Sequence, residues 1–267
     1  MPSKVKGLSL QPFSAMPWSA LAGMRVLASD IDDTITAGGK LPSHTIELLE
    51  QLNAAGLMVA LATGRSAGGA QALAAYLPGL HVAVGENGLV CFDGAGRRRD
   101  LGPARDASSG RALNDNAARV ARAFNLARTD DDDFRLFERA FVRPAGFDAE
   151  TLRRCQGLVD PGFEVIASAI HIHVRPSNWN KADGLLAALA PDLPAAEADE
   201  RILFLGDSSN DRPLFARFPR TSVGVRNLQR FLDELEGDLP AYITEGEAAV
   251  GFAQVAERLL TARRRAL

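Results

Sequence analysis

Asp30-Ile31-Asp32-Asp33-Thr34 sets two carboxylates at i and i+2, directly after the apolar run Arg25-Val26-Leu27-Ala28-Ser29. A short apolar run bounded by polar residues reads as a buried strand. The carboxylates therefore stand where a strand ends and a loop begins. Close carboxylates repel each other and need a cation or a shared proton to compensate. The pentapeptide points to a metal and to chemistry. Taken alone, it also fits a β-to-α loop in which an Asp or the Thr caps a helix.

Three further segments have the same placement. Thr63-Gly64-Arg65 follows the apolar run 57–62 and precedes a helical pattern. A hydroxyl with free N–H groups at a helix start makes a phosphate-sized anion site, although a Thr cap and an ordinary loop would read the same. Gly206-Asp207-Ser208-Ser209-Asn210-Asp211 follows Ile202-Leu203-Phe204-Leu205 and supplies Asp207 and Asp211. Asn180-Lys181 opens a helix. A Lys in a first helical turn opposes the macrodipole, which a nearby anion would explain.

The elements that must hold these residues follow from periodicity. Ser43 can cap a helix to about residue 55, with Ile46, Leu49 and Leu52 on one side and Gly56 ending it. The run 57–62 is a second strand, 66–77 a helix and 81–84 a third strand. This β-α-β-α-β order with continuously apolar strands predicts an α/β fold, a Rossmann-like parallel sheet covered on both faces. The order then changes. Residues 89–92 and 93–96 read as a hairpin arm and turn, 113–124 as a helix, 134–142 as a strand, 148–159 as a helix, and 163–167 and 170–175 as strands. Helix and strand alternation resumes from 183. The expected organisation is an N-terminal arm at 1–22, loosely ordered, a core at 23–86 and 178–267, and an inserted α+β cap at 87–177. In open parallel sheets ligands bind beyond the carboxyl ends of the strands. This fold would therefore gather Asp30, Asp32, Thr63, Lys181, Asp207 and Asp211 at one edge. An oxygen-rich set without cysteine favours a hard cation, hence Mg²⁺.

These segments, in this order, resemble the four motifs of the haloacid dehalogenase-like (HAD) superfamily. The insert lies where C2-type caps lie, as in the subfamily IIB branch of Cof-type, sucrose-phosphate and mannosyl-3-phosphoglycerate phosphatases. The resemblance implies that Asp30 attacks phosphorus and becomes an aspartyl phosphate, and that Asp32 is the general acid and base. It implies that Thr63 and the Gly64 N–H, with Arg65 beside them, hold the phosphoryl oxygens, and that Lys181 neutralises charge. Asp207 would ligate Mg²⁺ with Asp30 and the backbone carbonyl of Asp32. Asp211 would be a further ligand or an orienting group, with Asn210 assisting. Many members carry Gly where Asp33 stands, and a non-Gly residue is expected to keep ordinary φ there. Asp32 favours phosphoester hydrolysis or phosphoryl exchange. The reading is a Mg²⁺-dependent phosphatase of a small phosphorylated sugar or sugar-acid conjugate. The alternatives are a phosphomannomutase-like sugar phosphomutase and a non-catalytic phosphate-binding module.

In the cap, His171, His173 and Arg175 alternate and share one strand face. They are candidates for contacting a substrate's hydroxyls or second anion, and equally a solvated face. Asn87 either reaches substrate or makes the turn that Asn-Gly favours. Trp179 reads as hinge packing and Asp130 to Asp133 as a solvated loop.

Composition bounds the partners. The chain has 267 residues, a net charge of −3 and a pI near 5.9, with no broad basic field for nucleic acid. The local runs 97–99 and 263–265, all Arg, read as solvated. Two cysteines, Cys91 and Cys155, form no disulfide framework and no metal knuckle. No apolar run reaches the ~18 residues that span a bilayer. Residues 1–22 lack the pattern of a signal peptide. The expected setting is cytoplasmic, with a small-molecule substrate, no membrane, and an oligomeric state the sequence leaves open.

Overall fold

The computed structural model describes residues 10–103 and 106–266. The fold is α/β, with a mostly parallel sheet and a separate three-stranded antiparallel sheet. The chain divides into two compact units, Met1–Val59 with Ala196–Leu267, and Ala60–Ala195.

In the first unit the strands Gln11–Pro12, Tyr242–Ile243, Ser222–Gly224, Ile202–Gly206 and Val26–Ser29 lie side by side in that order, all parallel. Every residue of Val26–Ser29 and Ile202–Gly206 is buried, which is why both read as unbroken apolar runs. Leu205 pairs with Ser29, and the Asp30 N–H donates to the Leu205 carbonyl at 2.9 Å. The register therefore fixes Asp30 against the end of the neighbouring strand. The helix Ser43–Ala54 buries Leu48, Leu49 and Leu52. Ser43 is its first helical residue, following Pro42, and no side chain among the described residues caps it.

The loosely ordered arm is not what forms over the described part of 1–22; residues 1–9 lie outside the described residues. Phe13, Met16 and Leu21 are buried. The helix Trp18–Gly23 follows. Arg258 donates to the Ser14 and Met16 carbonyls, and Arg258 and Arg265 stack over the Trp18 ring at 4.0 and 4.2 Å. Arg263 donates to the Met24 carbonyl. The C-terminal Arg run thus seals the N-terminal segment instead of being wholly solvated. Three apolar residues spaced through a Pro-rich stretch carry no helical or strand period, so the segment hid its burial.

In the second unit Leu80–Gly85 and Val90–Asp93 pair antiparallel, and Arg98–Asp100 adds to the outer edge. The strand Met58–Ala62 runs into this unit, where the Thr63 N–H donates to the Val84 carbonyl. Ser66 caps the helix Ala67–Tyr76, accepting from the Gly69 N–H. The strands Arg139–Val142, His171–Pro176 and Phe163–Ala167 form the antiparallel sheet in that order. The helices Ala107–Phe124 and Ala149–Gln156 cover one face of it, enclosing Leu113, Ala117, Val120, Phe141, Cys155, Ile172 and Val174.

One expectation changes here. The strand expected over 134–142 covers only Arg139–Val142. Glu86 takes the backbone N–H groups of Leu136, Phe137 and Glu138, and Asp132 takes that of Ala140. Side-chain acceptors thus replace the sheet ladder. The same compact unit, Ala60–Ala195, also holds the next helix. The helix Lys181–Leu189 sits against the turn at Gly88 so closely that a Cβ on Gly184 would collide with the Gly88 carbonyl, and Trp179 donates its indole N–H to that same carbonyl at 2.8 Å.

Candidate functional site

The first unit holds an acidic cluster. Asp30, Asp207 and Asp211 are buried, and one carboxylate oxygen of each lies within 4.8 Å of the others. Each acid has its own support. The Ser29 hydroxyl donates to the Asp30 carbonyl at 2.7 Å. Asp207 accepts from the Asn227 amide at 3.2 Å and from the Thr34 hydroxyl at 3.4 Å. Asp211 Oδ2 accepts from the backbone N–H groups of Asp207 at 2.9 Å and Ser208 at 3.3 Å. The Ser208 hydroxyl donates to Asn210 Oδ1 at 2.9 Å. Gly206 is required beneath this loop, because a Cβ there would stand 2.6 Å from Asp211 Cγ.

Three carboxylates this close and this buried repel strongly without a cation. An all-oxygen donor set without thiolate or imidazole suits Mg²⁺. The cluster unites three of the four proposed metal residues. Asp32, half-buried, is not part of the cluster through its side chain; its expected contribution to a metal was the backbone carbonyl.

Asp33 departs from expectation. Its φ is +55°, in the left-handed region, so the loop geometry that Gly serves elsewhere is kept. Asp visits this region more readily than most residues. Its N–H donates to the Thr36 hydroxyl and its carbonyl accepts from Asn227. Asn227 thus ties the Asp33 turn to Asp207, and it also accepts from the Ala248 N–H at a helix start. Sequence reasoning missed it. Its only signal is that it follows the Ser222–Gly224 strand, the neighbour of Ile202–Gly206.

The second unit builds the Thr63-Gly64-Arg65 turn. The Thr63 hydroxyl accepts from the Arg65 N–H at 3.1 Å. The Thr63 carbonyl accepts from the Asn87 N–H and the Arg65 carbonyl from the Glu86 N–H. Glu86 and Asn87 sit at φ +48° and +51°, so two consecutive non-Gly residues hold a costly backbone beside this turn. Lys181, buried, opens its helix after Asn180, whose side chain caps it by accepting from Ala182 and Asp183.

His173 and Arg175 are fully buried and His171 is half-buried, so this face is not solvated. Glu138, also buried, accepts from His173 Nδ1 at 2.8 Å, Arg135 Nη1 at 2.5 Å and the Asn87 amide at 3.0 Å. Burial by itself would raise the Glu138 carboxyl; His173, Arg135 and Arg175 outweigh it and hold it at about 2. Burial, with the charges of His173, Arg135 and Arg65, lowers His171 to about 4, which leaves it neutral at physiological pH. Arg175 donates to the Trp179 carbonyl. Burial and the charge of Glu138 push Glu86 up to about 7. Asp131 and Asp132 are not solvated either. Asp131 pairs with Arg135 and accepts from the Ser66 N–H, and Asp132 pairs with Arg128. Glu86, Arg135 and Glu138 were not foreseen. The only sequence signal of Arg135 and Glu138 is charge in a segment that otherwise reads as a strand, and that of Glu86 is a place just after one.

Residues 27–97 match the family described as haloacid dehalogenase-like hydrolase. A phosphoglycolate phosphatase of Pyrobaculum neutrophilum is 31% identical over 163 residues. That match spans 60% of this chain and 66% of the relative, just under two thirds of its length. A Thermoplasma acidophilum structure superposes with a TM-score of 0.68 at 21% identity, covering 88% of this chain and 98% of that one. The sucrose-phosphatase of a Synechocystis species does so with a TM-score of 0.61 at 19% identity, covering 89% and 98%. Residues 27–97 thus resemble the haloacid dehalogenase-like hydrolases, and solved structures with a similar fold include a sucrose-phosphatase and a sugar phosphatase of subclass IIB. No helix among the described residues is long and apolar enough to cross a membrane.

Proposed function

We propose that this chain is a Mg²⁺-dependent phosphomonoester hydrolase acting on a small phosphorylated sugar or sugar-acid conjugate through an aspartyl phosphate on Asp30. The observation that carries this reading is the buried Asp30–Asp207–Asp211 cluster. A cluster of this kind has no low-energy use as packing, and it suits a hard cation beside a nucleophilic carboxylate. When bound there, Mg²⁺ supplies positive charge that offsets the repulsion between the carboxylates and an incoming phosphate. Asp30 and Asp207 are the ligands in this reading, with the Asp32 carbonyl beside them and Asp211 holding the loop. Asp30 attacks phosphorus. Asp32 gives its proton to the leaving oxygen, then takes one from the attacking water. Thr63, Gly64 and Arg65 bind the phosphoryl oxygens, and Lys181 offsets negative charge. The family supports hydrolysis, and the names of the relatives support small phosphorylated substrates. The expected setting is cytoplasmic.

The test is inorganic phosphate release from an aryl phosphate and from a panel of phosphorylated metabolites, with Mg²⁺ or with chelator. Wild type should release phosphate only with the metal, and Asp30→Asn should release none. Full activity in Asp30→Asn, or no release by wild type across the panel, refutes the proposal. Free phosphate as the product also separates hydrolysis from mutase chemistry.

A further inference from the structure

We propose that His173, oriented by Glu138, determines substrate choice by hydrogen bonding an oxygen carried on the carbon next to the phosphoester carbon. The proposal rests on the phosphatase reading and names the class of leaving group it would accept.

The first observation is an incomplete partnership. His173 is fully buried. Its Nδ1 lies 2.8 Å from the ionised Glu138 carboxylate, so Nδ1 carries the hydrogen and donates it. Its Nε2 is buried and has no hydrogen-bond partner among the described residues. A buried polar atom left without a partner is costly. A histidine kept only for packing would pair both nitrogens or be replaced by an apolar residue. Glu138 is itself fixed by Arg135 and Asn87, so these three groups together set the ring's orientation.

The second observation is position. A Cβ on Gly64 would meet His173 Cε1 at 3.1 Å and the Asn87 amide at 3.2 Å. The ring edge therefore lies directly over the turn assigned to the phosphoryl group. Cε1 is bonded to both ring nitrogens, and Nδ1 is turned to Glu138, so Nε2 is the nitrogen left for a ligand. A hydrogen bond is ~2.9 Å long. The group assigned to Nε2 is therefore an oxygen three bonds beyond the ester oxygen, the hydroxyl or carboxylate oxygen on the adjacent carbon. Glu138 acts through His173 and is a positioning residue.

The test measures kcat/KM of wild type, His173→Ala, His173→Gln and Glu138→Gln on ethyl phosphate, 2-hydroxyethyl phosphate and 2-phosphoglycolate. These differ only at the adjacent carbon. Wild type should favour at least one oxygen-bearing ester over ethyl phosphate by about tenfold or more, the two arms separating hydroxyl from carboxylate. Both His173 variants should lower that ratio about tenfold, with the loss in KM. Glu138→Gln should lower it less, again through KM. A wild type without preference overturns the proposal, even if no variant folds. So does an equal loss on all three esters, or an unchanged ratio. Hydrolysis of none of these esters or of any other phosphomonoester by wild type would instead sink the phosphatase reading itself.

Discussion

Adding one methyl group at Gly206 tests how the acidic cluster is built. A Cβ there would stand 2.6 Å from Asp211 Cγ and 3.0 Å from Asp211 Cβ. Ordinary carbon contacts are about 3.5–4.0 Å, so the Asp211 carboxylate must shift by roughly 1 Å. That shift breaks its bonds to the Asp207 and Ser208 N–H groups, at 2.9 and 3.3 Å. Overpacking costs about 1–3 kcal/mol, and a lost bond to a charged group about 1.5–3 kcal/mol. Gly206→Ala should therefore destabilise by about 3–6 kcal/mol, or roughly 6–24 °C in Tm for a chain near this size. Phosphate release should fall about 10–100-fold, the usual effect of disturbing a group that orients metal ligands. A double-mutant cycle isolates the cause. In an Asp211→Ala background the carboxylate is gone, and adding Gly206→Ala should cost only about 1 kcal/mol more. Denaturant melts of the four proteins give the coupling. Additive losses would show that the methyl acts elsewhere, and an unchanged Tm in Gly206→Ala would refute the packing argument.

Other consequences follow from named contacts. Glu86 is raised from 4.5 to about 7 by burial and by Glu138, so the folded chain keeps a proton that the unfolded chain releases between those values. Its stabilisation is complete below about pH 4.5 and is lost as pH rises through 7, a change of ~3 kcal/mol. The unfolding free energy of wild type relative to Glu86→Gln should therefore be smaller at pH 8 than at pH 4.5 by about that amount, and a gap independent of pH would contradict the assignment. Asn227→Ala removes the donor shared by Asp207 and the Asp33 carbonyl. Its phosphate release should drop about 10–100-fold, and wild-type kinetics would contradict the role given to Asn227. Arg258→Ala frees the Ser14 and Met16 carbonyls and uncovers Trp18. It should destabilise by about 1–3 kcal/mol, seen as a lower Tm with KM unchanged.

The positions of Asp30, Thr63 and Asp207 at strand ends and of Lys181 at a helix start were legible because each follows an unbroken apolar run or opens a helix pattern. The α/β class was legible for the same reason. What the sequence hid was whatever depends on side chains meeting across long separations. Asn227 lies 20 residues from Asp207 and 194 from Asp33. Glu86 caps N–H groups 50 to 52 residues away, so the run 134–138 mimicked a strand while being held as a loop. Asp33 looked confined to ordinary φ, yet its carbonyl bond to Asn227 and its N–H bond to Thr36 hold it in the left-handed region. The Trp18 segment gave no period, because its burial comes from individual contacts with the C-terminal helix.

The most direct test of the account is to stop wild-type enzyme in acid during turnover with Mg²⁺ and map modified peptides by mass spectrometry. The account expects one phosphoryl group on Asp30, labile to alkali and absent in Asp30→Asn. Rapid turnover with no phosphoryl group on Asp30, or one carried by another residue, would contradict it.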